Sequence, residues 1–224
     1  MERASRRLLG PALAGMLLPA LLAAMPTVAS AQNFYAAVRG GPGWAKNTRE
    51  GIAGGEDVLE FGTAVSAGGA LGYAFSFGLR TEAEFSYIYN PVTREEGVAV
   101  GGSFRNYLYM VNLYYDVKHP SLGPFTPYIG GGVGAARVNE DHEFIFTPGT
   151  GPAGIFTDPH DWTALAYQAR AGIAYEVTKW LDLSIGYRYV HVDGTQRPAL
   201  FDPTSVNTEA INHHFLELGL AFKF

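Results

Sequence analysis

Large apolar residues alternate with small or polar ones over most of the chain. The clearest case is the last stretch, residues 215–224, where one set of alternate positions is uniformly large and apolar. The other set is small or charged apart from Phe215. Period-two alternation of this length predicts a β-strand with one face in an apolar environment. The apolar face comprises Leu216, Leu218, Leu220, Phe222 and Phe224.

Eight segments carry this alternation, and stretches rich in Gly, Pro and charged residues separate them. The connections alternate between long ones (45–63, 90–102, 139–161 and 194–210) and short ones (76–78, 118–124 and 178–179). An even strand number with this asymmetry is typical of barrels that cross a bacterial outer membrane. The first seven predicted strands cover about 34–44, 64–75, 79–89, 103–117, 125–138, 162–177 and 180–192, and the eighth ends the chain.

The distribution of charges decides which side of the predicted barrel faces lipid. In the third predicted strand, Phe85 and Tyr87 alternate with Glu82 and Glu84. A soluble lipocalin-like barrel is apolar inside and polar outside, whereas a small membrane barrel reverses this polarity. Aromatic residues gather near both ends of the apolar faces, which is typical of two membrane interfaces. We therefore predict an all-β fold, an eight-stranded antiparallel up-and-down transmembrane β-barrel, with the soluble barrel as the alternative.

The first 31 residues have a different character from the rest. A basic start with Arg3, Arg6 and Arg7 is followed by the apolar run 8–24 and by a small-residue cleavage motif at 29–31. This arrangement predicts a secretory signal peptide, and a retained anchor is the alternative. The outer-membrane β-barrel domain would then be residues 32–224.

Composition and charge narrow the classes of function. Removal of the three Arg and one Glu of the signal peptide takes the formal charge from −5 to −7, which argues against nucleic-acid binding. The chain has no Cys, so an exported domain of this size must gain its stability without disulfides. A closed barrel does so through continuous strand pairing, and the 28 Gly, 13 Tyr and 14 Phe suit that architecture.

Several stretches resemble the small outer-membrane β-barrel proteins that include opacity-type proteins and bacterial surface antigens. The resemblance implies an OmpA/OmpX-like barrel in the outer membrane of a Gram-negative bacterium, with variable surface loops and both termini periplasmic. It also implies contact with outer-membrane lipid and lipopolysaccharide. The aromatic ending, Phe224 with Phe222 and Leu220, resembles the signal read by the barrel-assembly machinery. The matching stretches are GLRTEAEFSY (78–87), NLYYDV (112–117), TPYIGGGVGAA (126–136), AYQARAGIAYEV (166–177), LDLSIGYRYV (181–190) and LGLAFKF (218–224).

Eleven charged residues fall on the face that we predict to line the lumen. An eight-stranded barrel is just wide enough to be filled by its own side chains, and buried charges must pair. We therefore predict an ion-pair network that plugs the lumen, with inward glycines making room for Arg and Tyr. A gated polar pathway that conducts ions is the alternative. The residues are Arg39, Arg80, Glu82, Glu84, Asp116, Arg170, Glu176, Asp182, Arg188, Glu217 and Lys223.

Other candidate chemistry is weaker. The connection 139–161 mixes acidic residues, His142 and His160 with the apolar stretch 144–146, but its spacing matches no recognised metal site. The apolar stretch would either bind a partner or continue the strands above the membrane. His191 lies on the lipid-facing set without a Ser two residues away to serve as nucleophile. We therefore predict no catalytic residue, no cofactor and no metal.

The predicted function follows from the loops. An outer-membrane barrel with a plugged lumen would act as a surface antigen, an adhesin or an envelope-stabilising protein through its extracellular loops. Its partner would be a host or envelope protein. A narrow porin-like channel is the first alternative, and a lipid-modifying barrel enzyme is the second, because such barrels host unrelated functions.

Overall fold

The structure is a computed structural model. It describes residues 33–46, 48–52, 55–95, 98–146, 154–157, 160–198 and 205–224. The predicted signal peptide, residues 1–31, lies outside the described residues. Within these ranges, no helix is long and apolar enough to cross a membrane.

The described ranges consist almost entirely of β-structure, with one short 3-10 turn at Pro120–Leu122. Their thirteen strands are β1 (Phe34–Ala45), β2 (Thr48–Ile52), β3 (Gly55–Phe61), β4 (Thr63–Ala74), β5 (Leu79–Glu95), β6 (Val98–Asp116), β7 (Phe125–Phe146), β8 (Gly154–Thr157), β9 (His160–Thr178), β10 (Leu181–Val192), β11 (Thr195–Pro198), β12 (Ser205–Thr208) and β13 (Ile211–Lys223).

Eight of these strands form a closed antiparallel barrel. Each pairs with its neighbours in the order β1–β4–β5–β6–β7–β9–β10–β13. The ring closes where β1 pairs with β13, with Tyr35 opposite Lys223 and Ala45 opposite His213. Closure leaves the barrel itself without an unpaired edge. The predicted eight-stranded antiparallel barrel is therefore confirmed.

The short connections and both ends of the barrel lie at one rim, which we term the terminal rim. The Phe224 amide donates to the Phe34 carbonyl at 3.0 Å, and Lys179 and Trp180 form a two-residue turn at the same level. Gly78 closes the turn between β4 and β5 with φ of +92°, a conformation that side-chain-bearing residues rarely adopt. The opposite end of the barrel is termed the loop end.

The long connections at the loop end contain more strand than the sequence indicates. The hairpin of β5 and β6 continues until Glu95 pairs with Val98, and β12, β2 and β3 add to the sheet beside it. The long connections predicted at 45–63, 90–102, 139–161 and 194–210 thus contain further strand residues in their described parts. In these extensions the backbone groups pair with the neighbouring strand rather than with water.

The apolar stretch 144–146 belongs to this extension. Phe144 lies opposite Phe156, and Ile145 lies opposite Ile155, where β7 pairs with β8. The stretch therefore continues the strands, which is the second of the two alternatives given above.

The outer surface of the barrel is apolar. Leu71, Val111 and Leu218 each expose more than two thirds of their surface. Aromatic contacts surround the terminal rim, as between Phe34 and Tyr73, and a second set lies toward the loop end, as between Tyr87 and Tyr107. A lipocalin-like barrel would bury its apolar face inside, so that alternative is wrong.

Candidate functional site in the barrel lumen

Four charged residues form a closed cycle of ion pairs across the middle of the lumen, and we term them the quartet: Glu84, Arg170, Arg188 and Glu217. Arg170 contacts Glu84 at 3.0 Å and Glu217 at 2.9 Å. Arg188 contacts the same two carboxylates at 3.3 Å and 3.2 Å. The four side chains come from β9, β5, β10 and β13 and are at most 5% exposed. The quartet therefore joins opposite walls of the barrel with balanced charge.

Neutral side chains complete the hydrogen bonding of the quartet. The Arg188 Nε donates to Gln168 at 2.6 Å, and Asn112 donates to Glu84 at 2.8 Å. Ser66 donates to Glu217, and Ser86 accepts from Arg188. A buried ion pair is tolerated only when its remaining donors and acceptors also find partners, which these contacts provide.

A second group of ion pairs lies on the terminal-rim side of the quartet. Arg39 forms a two-pronged contact with Glu82 at 2.8 Å and 2.6 Å, and the Tyr35 hydroxyl donates to the same carboxylate at 2.7 Å. Arg80 contacts Asp116 at 2.8 Å. The guanidinium of Arg80 also lies over the rings of three tyrosines, at 5.2 to 5.6 Å from their centres. The Arg therefore gains both charge pairing and cation–π contact.

The remaining predicted lumen residues lie at the open mouth of the terminal rim. Lys223 contacts Asp182 at 2.8 Å and Glu176 at 3.1 Å, but the Glu176 side chain is 54% exposed. A cavity of about 180 Å³ lies here, and its lining includes Arg80, Asp116, Asp182 and Lys223. All eleven predicted lumen residues thus form ion pairs, but six of them also line this open vestibule.

Glycines on the inner wall make space for tyrosines. A Cβ added at Gly172 would lie 2.7 Å from the Tyr128 hydroxyl, and one at Gly186 would lie 2.6 Å from it. Real Cβ atoms do not approach other atoms so closely, so Tyr128 occupies the volume that these two positions leave open. The contact gives a physical reason for the glycines of the inner wall.

Sequence reasoning missed the next level of the lumen, on the loop-end side of the quartet. There the inner wall is apolar, and we term this level the apolar layer. All its members are nearly or completely buried, and they form one cluster. They are Ala64, Ile88, Phe104, Leu108, Met110, Ala136, Val138, Ala166, Val190, Val192, Ile211 and Phe215.

The sequence contains an indication of the apolar layer in the inward-facing positions of the strands. Val190 and Val192 are on the same face of β10 as Arg188, and Phe215 is on the same face of β13 as Glu217. The inward set therefore changes from charged to apolar toward the loop end in several strands. Phe215 is an apolar exception on the inward face of its strand, but one strand alone does not indicate a layer.

Three polar side chains lie buried at the level of the apolar layer. Asn90, Asn106 and His213 have no exposed surface, and their side-chain polar atoms have no hydrogen-bond partner among the described residues. The His213 ring stacks on Phe215 with the ring centres 5.9 Å apart. Their burial places these three side chains away from the surface of the described part of the chain.

Toward the loop end, His191 lies on the outer surface of the barrel, where it contacts three neighbouring side chains. Its ring stacks on Tyr167 with centres 4.4 Å apart, and its nitrogens contact Asn212 at 2.8 Å and Asp193 at 3.1 Å. No serine is among the hydrogen-bond partners of His191 in the described residues. In the same ranges, no three His, Asp or Glu side chains form a group that could hold a metal ion. Of the candidate metal ligands in the connection 139–161, the side chains of 140–143 and His160 and the whole of residue 158 lie outside the described part.

The predicted assembly signal lies at the terminal rim. Phe222 stacks on Trp180 at 6.4 Å between ring centres, and Phe224 is about two-fifths exposed on the outer surface. Leu220 is half-buried and pairs with Leu183 and Val38 on the neighbouring strands. Recognition of these residues by the assembly machinery stays a prediction.

A closed antiparallel barrel with an apolar exterior, aromatic girdles and a charged interior defines the class of transmembrane β-barrels. The sequence comparison agrees with this class. The chain belongs to the outer membrane protein beta-barrel domain family, whose profile matches residues 15–224. It is therefore a β-barrel protein of the bacterial outer membrane.

Individual relatives add little about activity. An uncharacterized protein of Brucella abortus (strain 2308) is 39% identical over 87 residues, which are 38% of this chain and 30% of that protein. An outer membrane protein of Gluconacetobacter diazotrophicus is 28% identical over 181 residues, covering 70% of this chain and 45% of that protein. The chain therefore matches less than half the length of these curated relatives.

Among solved structures, Neisserial surface protein A is similar to this chain. The TM-score is 0.51 with 18% sequence identity, and the match covers 85% of this chain and 97% of the other. At this identity the likeness concerns the fold alone.

Proposed function

We propose that this outer-membrane barrel acts at the cell surface, as an adhesin, a surface antigen or an envelope-stabilising protein, through the strand extensions at its loop end. In this proposal the loop end faces outward, and the terminal rim with both chain ends faces the periplasm. The lumen serves as a sealed scaffold. The protein partner would be a host or envelope protein, and the barrel-assembly machinery would read the end of β13.

The observation that carries the proposal is the filling of the lumen at two consecutive levels. The quartet closes the middle with side chains that are at most 5% exposed, and the apolar layer closes the next level with residues such as Phe104 and Leu108 that have no exposed surface. An eight-stranded barrel is just wide enough for its interior to be filled by side chains in this way. The surfaces left for function are therefore on the outside.

The extensions of the loop end support the same proposal. The hairpins of β5–β6, β2–β3 and β11–β12 build an ordered platform beyond the barrel proper. The similar structure of Neisserial surface protein A carries a surface location in its name, which agrees with the proposed orientation. Binding residues are often carried on connections that a rigid scaffold positions.

The experiment that tests this proposal separates orientation from binding. Intact cells that carry a peptide tag between residues 96 and 97 should bind an antibody to the tag, whereas a tag in the turn at 118–124 should be reached only after lysis. Replacing 46–61, 91–102, 139–161 and 194–209 by short turns should abolish host-cell adhesion or raise detergent sensitivity. Unchanged adhesion and unchanged envelope resistance in the shortened variant would contradict the proposal.

The narrow channel is the second candidate, and the vestibule of about 180 Å³ at the terminal rim favours it. Planar-bilayer recording separates the two candidates. If both the quartet and the apolar layer close the lumen, the unmodified barrel should show no steady conductance. A variant altered in only the quartet or only the apolar layer should show none either. A variant that combines Arg188→Ser and Glu217→Ser with Leu108→Ser and Val190→Ser should conduct. Steady conductance of the unmodified protein would favour the channel.

We further propose that the barrel is not an enzyme. The bonding of His191 to Asn212 and Asp193 supports this view, because both contacts orient the ring without supplying a nucleophile. Incubation of the folded barrel with lipopolysaccharide, followed by mass spectrometry of the lipid, should leave the lipid mass unchanged. Loss or gain of an acyl chain would contradict this part of the proposal.

A further inference from the structure

The vestibule at the terminal rim brings charges from opposite sides of the barrel into one cavity. In the ring of eight strands, β5 lies opposite β10 and β6 lies opposite β13, because each of these pairs is four strands apart in either direction. Arg80 on β5 and Asp182 on β10 therefore belong to opposite walls, as do Asp116 on β6 and Lys223 on β13. All four residues line the same cavity of about 180 Å³, so their charges act across it.

The wall formed by β9, β10 and β13 carries an excess of negative charge. Asp182 and Glu176 share the ammonium group of Lys223, at 2.8 Å and 3.1 Å. Two carboxylates and one ammonium group leave a net charge of −1 on this wall. The Glu176 side chain is also half exposed, so a ligand can reach it from the mouth of the vestibule. A second ammonium group would balance this wall.

The wall formed by β5 and β6 carries an excess of positive charge. Arg80 and Asp116 balance each other at 2.8 Å. Lys118, directly after β6, also lines the cavity, and it has no ion-pair partner among the residues that the structure describes. Its charge acts on the Asp116 carboxylate, which indicates that the ammonium group lies near this ion pair. Two basic groups and one carboxylate leave a net charge of +1, which a carboxylate from a ligand would balance.

The rest of the lining limits the size and chemistry of a ligand. Arg39 also lines the cavity, but Glu82 balances it at 2.6 Å. A cavity of about 180 Å³ is smaller than the roughly 300–1,000 Å³ typical of sites for drug-sized ligands. Apolar side chains would contact the middle of a short aliphatic chain, and neutral polar side chains would bind to either of its ends. These residues are Phe34, Ala174, Leu220 and Ala221, and Asn33, Thr126 and Ser184.

We propose that the vestibule binds a small linear zwitterion, with an ammonium and a carboxylate group at opposite ends of a short chain. Asp182 and Glu176 would hold the ammonium group, and Lys118 and Arg80 would hold the carboxylate. Such a ligand balances both walls at once, which a simple anion or a simple cation does not. The site does not rest on the proposed surface function, because it lies at the other end of the barrel.

Titration of the folded barrel with linear amino acids tests the site. The probes are β-alanine, γ-aminobutyrate and ε-aminohexanoate, which separate the two charges by increasing lengths. The backbone NMR signals of Lys118, Thr126 and Glu176 would report binding. A non-ionic detergent is required, because the headgroup of a zwitterionic detergent carries both charges and would compete. At least one probe should shift these signals to saturation, and added salt should weaken its binding.

Analogues of the best probe identify the ligand chemistry. The carboxylate and the amine of the same chain length should each bind about 5-fold or more weakly, because each balances only one wall. Glycine should also bind more weakly, since its two charges are too close together to reach both walls. Equal binding of the carboxylate would reassign the vestibule to a free anion, and equal binding of the amine would reassign it to a free cation. Either result would overturn the proposal.

Substitutions on the two walls should have separable effects. Lys118→Gln and Glu176→Gln should each lower the affinity for the best probe about 2- to 5-fold, which is the effect of one exposed ion pair. Lys118→Gln should not weaken binding of the amine analogue, and Glu176→Gln should not weaken binding of the carboxylate analogue. Matched controls are Lys179→Gln, at the terminal rim but outside the lining, and Glu209→Gln, at the loop end. Both controls should stay within about 1.5-fold of the unmodified protein.

Two further outcomes would contradict the site. One is the absence of saturable shifts with all three linear amino acids, which is measured on the unmodified protein and does not depend on how a variant folds. The other is an unchanged affinity in both Lys118→Gln and Glu176→Gln, provided that their unboiled samples show the same gel mobility as the unmodified protein. Loss of adhesion or of tag accessibility at the loop end is measured separately, so a failure of the surface function is distinguishable from a failure of this site.

Discussion

The quartet and the apolar layer fill neighbouring levels of one lumen by opposite means. At the quartet, Glu84, Arg170, Arg188 and Glu217 exclude water while keeping their charges, because every charge has two partners. Two residues nearer the loop end on β10 and β13, Val190 and Phe215 exclude water by packing alone. The same strands thus build a polar seal and an apolar seal in succession.

The two seals fail in different ways. A buried ion-pair cycle depends on every partner, because removing one leaves an uncompensated charge. An apolar layer depends on volume, and a lost methylene group leaves a cavity without an electrostatic cost. Substitutions in the quartet and in the apolar layer, each compared with a control substitution elsewhere, can therefore separate the contribution of charge pairing from that of packing.

Opening the quartet should give the largest effect. In Arg188→Met, the carboxylates of Glu84 and Glu217 share Arg170 alone, so the quartet carries one uncompensated negative charge. We expect this change to lower the free energy of unfolding by about 3–5 kcal/mol. Urea unfolding of the refolded barrel, followed by tryptophan fluorescence, would measure it. Combining Arg188→Met with Glu217→Gln restores the charge balance and should cost less than the single change. A single change that costs under about 1 kcal/mol would show that the cycle is not a stabilising unit.

Removing volume from the apolar layer should have the next largest effect. Leu108→Ala creates a cavity in a site with no exposed surface, and we expect a loss of about 3 kcal/mol in the same unfolding measurement. Leu218→Ala is the matched control, because Leu218 is 67% exposed on the lipid face and lipid or detergent fills the space. Equal losses for the two variants would argue against a packed interior layer.

Crowding the inner wall should have a moderate effect. Gly186→Ala places a Cβ 2.6 Å from the Tyr128 hydroxyl, its nearest atom, and we expect a loss of about 1–3 kcal/mol from overpacking. The control Gly69→Ala adds a Cβ whose nearest contact, the Ala37 carbonyl oxygen, is at an ordinary 3.6 Å. If Gly186→Ala is as stable as the control, Tyr128 can move and does not require the open volume.

The open mouth should show the smallest effect. Lys223→Gln breaks the contacts with Asp182 and Glu176, but Glu176 is half exposed and water screens the charges. We expect a loss of at most about 1 kcal/mol, decreasing further as salt is added. Unfolding at two salt concentrations measures both quantities. A loss as large as that of Arg188→Met would remove the distinction between the vestibule and the quartet.

Much of the barrel was predictable because strand alternation directly reports which face meets lipid. The strand parity placed Arg170, Arg188 and Glu217 on the inner wall, and the structure places them there. Strand lengths were predicted less well. Outside the membrane, strand residues such as Glu95 and Val98 need not alternate between apolar and polar types. The hydrophobic pattern therefore does not show how far these strands extend.

The fold class, the strand parity and the set of charged lumen residues can be predicted from the sequence, because each depends on a period of two along one chain. Which of these charges meet depends on how the strands are arranged around the closed barrel. The cycle of the quartet joins β5, β9, β10 and β13 across the lumen, and its contacts depend on the stagger between strands. The apolar layer likewise became visible only when Ile88, Leu108 and Val190, each unremarkable in its own strand, were brought to one level by barrel closure.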